Sequence, residues 1–345
     1  MMQKYIDAWN ISSKDFPVHG SLREQMFFLL RYAILAPSTH NTQPWRFRLT
    51  DTGCELHCDP RLRLPFGDPT GRDFYISLGH ALEFFILAAK RYGMYTDVSY
   101  RTGEGTCVAE VRCQKSEGYN DSYERLVAMI PKRSNARGFF KKQAVPKSIL
   151  EELSAVVQNG YGDTGVRVDF VVDPDAITRI ARLTADGVKM ARRDSNFRKE
   201  FSAWFHHNFS KRYDGIPGYA VGMPNLVSVV MAPLMRWFSL NSLLGKLNYR
   251  SVAGTPLICV LSGKDGKHAW LDVGRISGRL MLELLARDIR TSVYVASVEI
   301  GMLHTQLQEI TGSPDRPQFL FIGGSMDRVA PHAPRHPVQE KIITH

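Results

Sequence analysis

The 345-residue chain has no dense run of lysine or arginine, no Gly-x-Gly-x-x-Gly after a strand-like segment, and no cysteine or histidine spacing typical of zinc sites. The first absence, with no aromatic–basic module beside it, argues against a specific nucleic-acid partner. The second argues against a doubly wound dinucleotide fold. The third leaves Cys54, Cys58, Cys107, Cys113 and Cys259 as small buried thiols, and their odd number suits no closed disulfide framework. No metal is expected. His206 and His207 read as surface residues, because no third ligand follows at a suitable spacing. Residues 218–235 carry no charge, but Pro224, Asn225 and Pro233 interrupt them and Arg236 follows, so no membrane span is expected. Residues 1–20 lack the apolar h-region of a secretory leader, and the expected location is cytoplasmic.

The composition is that of a protein able to bury a real core, at 44% hydrophobic and 23% charged. A net charge of +10 and an isoelectric point near 9.4 ask for an anionic partner. Because the basic residues are scattered, a phosphate-bearing cofactor or a nicotinamide phosphate suits that field better than nucleic acid. Ser21 and Glu24 form a capping box ahead of a helix that Pro37 stops. Strands follow at 45–50 and 54–58, then a long helix at about 73–92 closed by Gly93, and strands at 98–101 and 106–114. The order of elements then begins again. Helices are expected at 146–158, 176–193 and 269–287, and strands at 166–172, 257–262 and 319–323, before a proline-rich tail. The long helices share small residues among apolar ones at 76–82 and 273–280, which reads as a weak internal duplication. The fold class is α+β, with mixed, largely antiparallel sheets flanked by long helices.

Residues 36–45, Ala-Pro-Ser-Thr-His-Asn-Thr-Gln-Pro-Trp, form a helix-to-strand loop stiffened by two prolines and dense in hydroxyls and amides. Chemistry alone fits a pocket for a flat heterocycle and a simple capping loop equally well. His40 within it reads as a hydrogen-bonded structural histidine rather than a catalytic acid. Further on, Lys132-Arg-Ser-Asn-Ala-Arg-Gly-Phe139 places two arginines four apart around Ser134 and Asn135, a grouping able to grip a phosphate. A third piece is the basic tail segment 333–340, with Arg335.

Together these pieces resemble the FMN-dependent nitroreductase family, whose pattern Pro-Ser-x-x-Asn-x-Gln-Pro-Trp is matched at 37–45. The resemblance implies that Pro37, Ser38, Thr39 and Asn41 lie against the flavin, with Gln43 and Trp45 structural. It implies that Arg133, Ser134, Asn135 and Arg137 bind the FMN phosphate and that Arg335 closes that site. It also points to Ser297 and Glu299 near the flavin N5 edge and to Asn248 and Arg250 as further contacts. The first half has the Pro-Ser loop and no arginine start; the second has the arginine loop and tail and no second Pro-Ser loop. That complementary loss resembles the Acg-like branch, a nitroreductase-like fold with two related half-domains fused as an intramolecular pseudo-dimer. It implies one FMN per chain and a monomer with an internalised interface. The organisation expected is an extension at 1–20, a first half at 21–115 and a second half at 116–345 with a lid-like insert at about 214–245. A helical hairpin filling the interface is the alternative for that insert.

The implied chemistry is hydride transfer from NAD(P)H to the flavin and onward to a small electrophilic acceptor such as a nitro compound or quinone, with no catalytic dyad. Two other readings stay open: a flavin-sequestering protein occluded by its lid, and a biosynthetic dehydrogenase.

Overall fold

The computed structural model describes residues 7–101, 103, 105–116, 118–327, 329 and 331–344. The first helix, α1 (Leu22–Ala33), starts on the expected capping box: Glu24 Oε2 accepts the Ser21 N–H at 2.8 Å and Ser21 Oγ accepts the Glu24 N–H at 3.3 Å. Strands β1 (Trp45–Thr50) and β2 (Gly53–Cys58) form a hairpin. Helix α2 (Arg72–Arg91) follows, then β3 (Met94–Tyr100) and β4 (Cys107–Lys115). These strands make an antiparallel sheet in the order β1-β2-β4-β3. The connection from β3 to β4, whose sequence carries Gly103 and Gly105 as turn residues, falls partly outside the described residues.

The second half repeats the plan with additions. Helices α3 (Lys147–Tyr161), α4 (Pro174–Ala191) and α5 (Ser195–Ala203) precede two short paired strands, β6 (Phe205–His206) and β7 (Ile216–Pro217). Helices α6 (Asn225–Trp237) and α7 (Asn241–Ala253) follow, bent 114° to one another. Strand β5 (Arg167–Val171) lies between α3 and α4; β8 (Leu257–Ser262), α8 (Lys267–Leu285) and β9 (Arg290–Val293) come next. The chain continues through α9 (Ala296–Glu299), α10 (Leu303–Thr311) and β10 (Pro317–Gly324). The second sheet has the order β5-β8-β10-β9, also antiparallel throughout.

Strands β8 and β10 are buried at every position, and their alternation explains why. Leu257, Cys259, Leu261, Phe319 and Phe321 pack with α3 and α8, while Ile258, Val260, Leu320 and Ile322 pack with α4, α9 and α10. A sheet covered on both faces has no polar side to show as a period of two.

The halves join where α2 crosses α8. A Cβ on Gly79 would lie 2.2 Å from the Leu271 carbonyl oxygen, and one on Gly274 would lie 2.2 Å from that of Ile76. Each would also meet the other glycine's Cα at 2.9 Å. The crossing is reciprocal, so the internal repeat runs in the register Ile76–Gly79 with Leu271–Gly274. The tail returns to the first half: the Ile343 N–H donates to the Phe47 carbonyl at 2.7 Å and Ile342 bridges to Phe47 beside β1. Trp9 Nε1 donates to the Ala333 carbonyl at 3.0 Å.

Candidate functional site

The loop at 36–45 is held in a backbone form that side chains rarely take. His40, Asn41 and Gln43 have φ of 50°, 57° and 53°, in the left-handed region. Contacts from distant chain segments hold it there. Ser38 Oγ accepts the Gln43 N–H at 3.0 Å. Gln43, wholly buried, donates through Nε2 to the Tyr213 carbonyl at 2.7 Å and accepts the His336 N–H at 3.0 Å. Asn41 Nδ2 donates to the Gly215 and Pro334 carbonyls at 3.0 and 3.1 Å. Thus the tail and the start of the insert close over the loop. His206 contributes too. It was expected on the surface, yet its side chain is only 10% exposed and its Nε2 lies 3.7 Å from Asp214, because β6 and β7 pair and draw it inward.

The arginines from the other two motifs arrive at the same place. Arg335 is buried; it donates to the Ala36 carbonyl at 3.0 Å and to Asn41 Oδ1, and its guanidinium lies 4.8 Å from the Trp9 ring. Arg133 is buried beside it, near enough that its charge acts on both Arg335 and His80. Among the described residues neither arginine has a carboxylate partner, and the Nε of each has no hydrogen-bond partner. Burial pushes Arg133 down to about 10, and burial together with Arg133 holds Arg335 well below the usual arginine range. His332 stacks on Trp9 at 4.1 Å and is pushed down to about 4 by burial, Arg133 and Arg335. Burial, Arg137 and Arg192 hold His40 down at about 4, so it is neutral at pH 7.

Buried Arg72 instead pairs with Glu299 at 2.6 Å, and half-buried Arg275 with Glu83 at 3.0 Å. Arg192, buried on the Phe201 ring, also has no carboxylate partner among the described residues, and burial pushes it down to about 10. At the register of the crossing, Arg275 corresponds to His80. A cleft of about 580 Å³ opens there, lined by Glu83, Tyr161, Arg275, Arg279 and Arg287 among others. Its arginines are already bonded to Glu83, Glu152, Glu283 and Tyr100.

The remaining expected residues divide. Asn135 Oδ1 accepts the Val293 N–H at 2.9 Å and so pins the arginine loop to β9. Ser134 and Ser297 have buried hydroxyls without partners among the described residues. Arg137 is exposed, 5.5 Å from the Tyr294 ring. Pro37 is half-buried at the turn out of the first helix. Thr39 Oγ1 donates to Asp73 Oδ2 at 3.3 Å, leading to an acidic group formed by Asp68, Asp73 and Glu299 around Arg72. Burial and Glu299 raise Asp68 to about 6 and push Asp73 well above its ordinary value. Asn248 donates to its own helix at Leu244, 2.8 Å away, and Arg250 lies over Phe139. Trp9, His80 and His332 carried no sequence signal; they are brought in by the crossing and the tail. Elsewhere Glu55, His57 and Cys107 bring one ligand atom each within 4.8 Å. Arg48 and Thr106 already bond Glu55 and His57, which disfavours a metal there.

No family model matches the chain. In Mycobacterium tuberculosis (strain ATCC 25618 / H37Rv), "Putative NAD(P)H nitroreductase acg" is 23% identical over 319 residues, covering 90% of this chain and 93% of that one. The chain is nitroreductase-like, and Acg-like within that class. From the same organism, "Putative NAD(P)H nitroreductase Rv3131" is 29% identical over 192 residues, 55% of this chain. That match spans about half of the relative's length, 52%. Among solved structures, FMN-dependent nitroreductase NfnB from Mycobacterium smegmatis in complex with NADPH is 18% identical, covering 64% of this Acg-like chain and 97% of the other. Its TM-score of 0.43 is too low to carry weight.

Proposed function

We propose that this Acg-like chain is an FMN-dependent oxidoreductase that takes reducing equivalents from NAD(P)H and delivers them to a small electrophilic acceptor, a nitro compound or a quinone. The observation that carries this reading is the pair Arg133 and Arg335, both buried and, among the described residues, without a carboxylate partner and each with an Nε that lacks a hydrogen-bond partner. A buried cation persists where an anion completes it, and a phosphate monoester matches two guanidinium groups. The residues present therefore fit the phosphate of FMN: Arg133 and Arg335 would hold it, with Ser134 supplying a further donor. The chemistry that FMN supplies when bound is hydride acceptance and electron delivery. The chain's own part is to bind, to orient and to exclude water. The loop at 36–45 presents Ser38, Thr39 and Asn41 on a fixed backbone, and neutral His40 adds no charge. Asp73, whose carboxyl is raised by burial and by Glu299, accepts the Thr39 hydroxyl and fixes its direction.

One such site per chain is the count we infer, because the corresponding position across the crossing is filled by Arg275 and its ion pairs. The single test is the absorption spectrum of purified protein, followed by anaerobic NADH or NADPH. Flavin bands near one equivalent per chain, bleached by a nicotinamide, are expected. A colourless protein that binds no added FMN refutes the cofactor, and a bound flavin that neither nicotinamide bleaches refutes the donor.

A second reading has its own observation. Glu200 accepts the Phe66 and Gly67 N–H groups at 3.1 and 2.7 Å, and Phe201 meets His40 edge-on at 4.9 Å, so α5 is clamped over the loop. An occluded flavin-binding protein would hold FMN with little turnover and gain turnover on Phe201→Ala. A fast parent enzyme removes this reading.

A further inference from the structure

We propose that the outward face of α6, continued into α7, is a docking surface for an anionic lipid bilayer. Leu226, Val230 and Trp237 are 84%, 58% and 71% exposed, and their spacing puts them on one stripe of α6. Phe238, Leu243 and Leu247 extend the apolar surface at 60%, 57% and 44% exposure. The rotation of α6 is fixed by its other side: Ser228 and Met235 are buried, and Ser228 Oγ accepts the Asn208 N–H at 3.0 Å. The stripe therefore faces outward as a consequence of packing. A run of exposed apolar residues this long on a water-soluble surface marks an interaction site.

Charge selects the occupant. Residues 215–253, which include both helices, contain no Asp or Glu, and their charged residues are Arg236, Lys246 and Arg250, all exposed. Asp186, which adjoins the packing of Gly245 on α4, is already bonded to Lys189 at 2.8 Å. A second copy would bring two cation-rimmed faces of a +10 chain together, which like charges oppose. Anionic headgroups neutralise the same rim, while Trp237 and Phe238 suit the headgroup boundary. Each helix has 13 residues, so each is roughly 20 Å long against a hydrocarbon core of about 30 Å. With a 114° bend between them, the pair lies in the interface rather than spanning it. Helix α6 packs on α5, so the lipid contact is one helix away from the loop at 36–45.

The test is flotation of the full chain with vesicles of phosphatidylcholine alone and of phosphatidylcholine with phosphatidylglycerol in equal parts. Binding is expected only to the anionic vesicles and only at low salt. Arg236→Glu with Lys246→Glu should weaken it by at least about tenfold, and Leu226→Glu with Trp237→Glu should abolish it. In the unsubstituted protein, vesicles should shift tryptophan emission to the blue, and Trp237→Phe should remove that shift. Binding without preference for anionic lipid, undiminished binding by the Leu226/Trp237 variant, or a shift that survives Trp237→Phe overturns the proposal. So does a dimer in sedimentation that the Leu226/Trp237 variant dissolves while vesicles are not bound; that outcome assigns the face to a second copy.

Discussion

Replacing Arg133 with methionine separates a binding role from a structural one, because the two predict opposite signs. Arg133 is pushed by burial alone from the ordinary arginine value down to about 10, a fall of between two and three units. At 1.36 kcal/mol per pKa unit, this puts the penalty on the flavin-free fold at about 3 kcal/mol. Because the folded-state pKa is the lower of the two, that penalty is present in full at pH 7. It fades only as pH rises through the folded value towards the unfolded one. Methionine keeps the aliphatic stem and removes the uncompensated charge. The flavin-free Arg133→Met protein should therefore be as stable as the parent or about 1–3 kcal/mol more stable, with a Tm raised by a few degrees. FMN binding should move the other way. Losing charge-assisted bonds to the phosphate costs about 2–3 kcal/mol, a Kd raised by roughly 30- to 150-fold. Riboflavin lacks the phosphate, so its affinity should stay within about twofold. The assay is calorimetric titration of the stripped protein with FMN and with riboflavin, beside thermal unfolding without either. A variant that unfolds earlier than the parent yet binds FMN as tightly would refute the reasoning, since Arg133 would then be paired in a way that stabilises the fold.

Gly79→Ala should lower stability by roughly 3 kcal/mol or more, since its Cβ meets backbone on both sides of the crossing and overpacking outweighs the gain in helix propensity of about 1 kcal/mol. Gly160→Ala, with nothing within 4 Å, should instead stabilise slightly; equal Tm values for these two variants would sink the crossing argument. Asp68 is raised from 3.8 to about 6, so its contribution is fully favourable below pH 3.8 and is lost as pH rises through 6. Asp68→Asn should then be more stable than the parent at pH 8, by up to about 3 kcal/mol, with no advantage at pH 4 in a urea melt; an advantage independent of pH contradicts the burial reading. Gln43→Ala breaks the ties to Tyr213 and His336 and should cost about 2 kcal/mol in urea unfolding. The same substitution should speed proteolysis of the tail, and unchanged cleavage would show that the tail is held by other contacts.

Legibility from sequence followed the distance over which each feature is determined. The loop at 36–45, the arginine segment at 133–137 and Arg335 could be read because each is a contiguous string. The Ser21–Glu24 cap could be read because its partners lie within one helical turn. Strands β8 and β10 were foreseen as strands but not as the centre of a sheet covered on both faces, since continuous burial removes the alternation that would orient them. Strand β9 was missed: Arg290–Val293 is four residues long, and its place at the sheet edge comes from pairing with β10 rather than from its own pattern. The arginine cluster shows the same limit inside the site. Arg133 and Arg335 were named as separate candidates, but their lack of a carboxylate depends on which acids the fold brings near them. Asp68, Asp73 and Glu299 gather instead around Arg72, on the far side of Thr39. Trp9 and His332, stacked 4.1 Å apart, lie in an N-terminal stretch and a tail that no local rule connects. The electrostatic asymmetry that argues for a phosphate is therefore a tertiary property: the cations are local in sequence, and the placement of the acids leaves Arg133 and Arg335 without a carboxylate among the described residues.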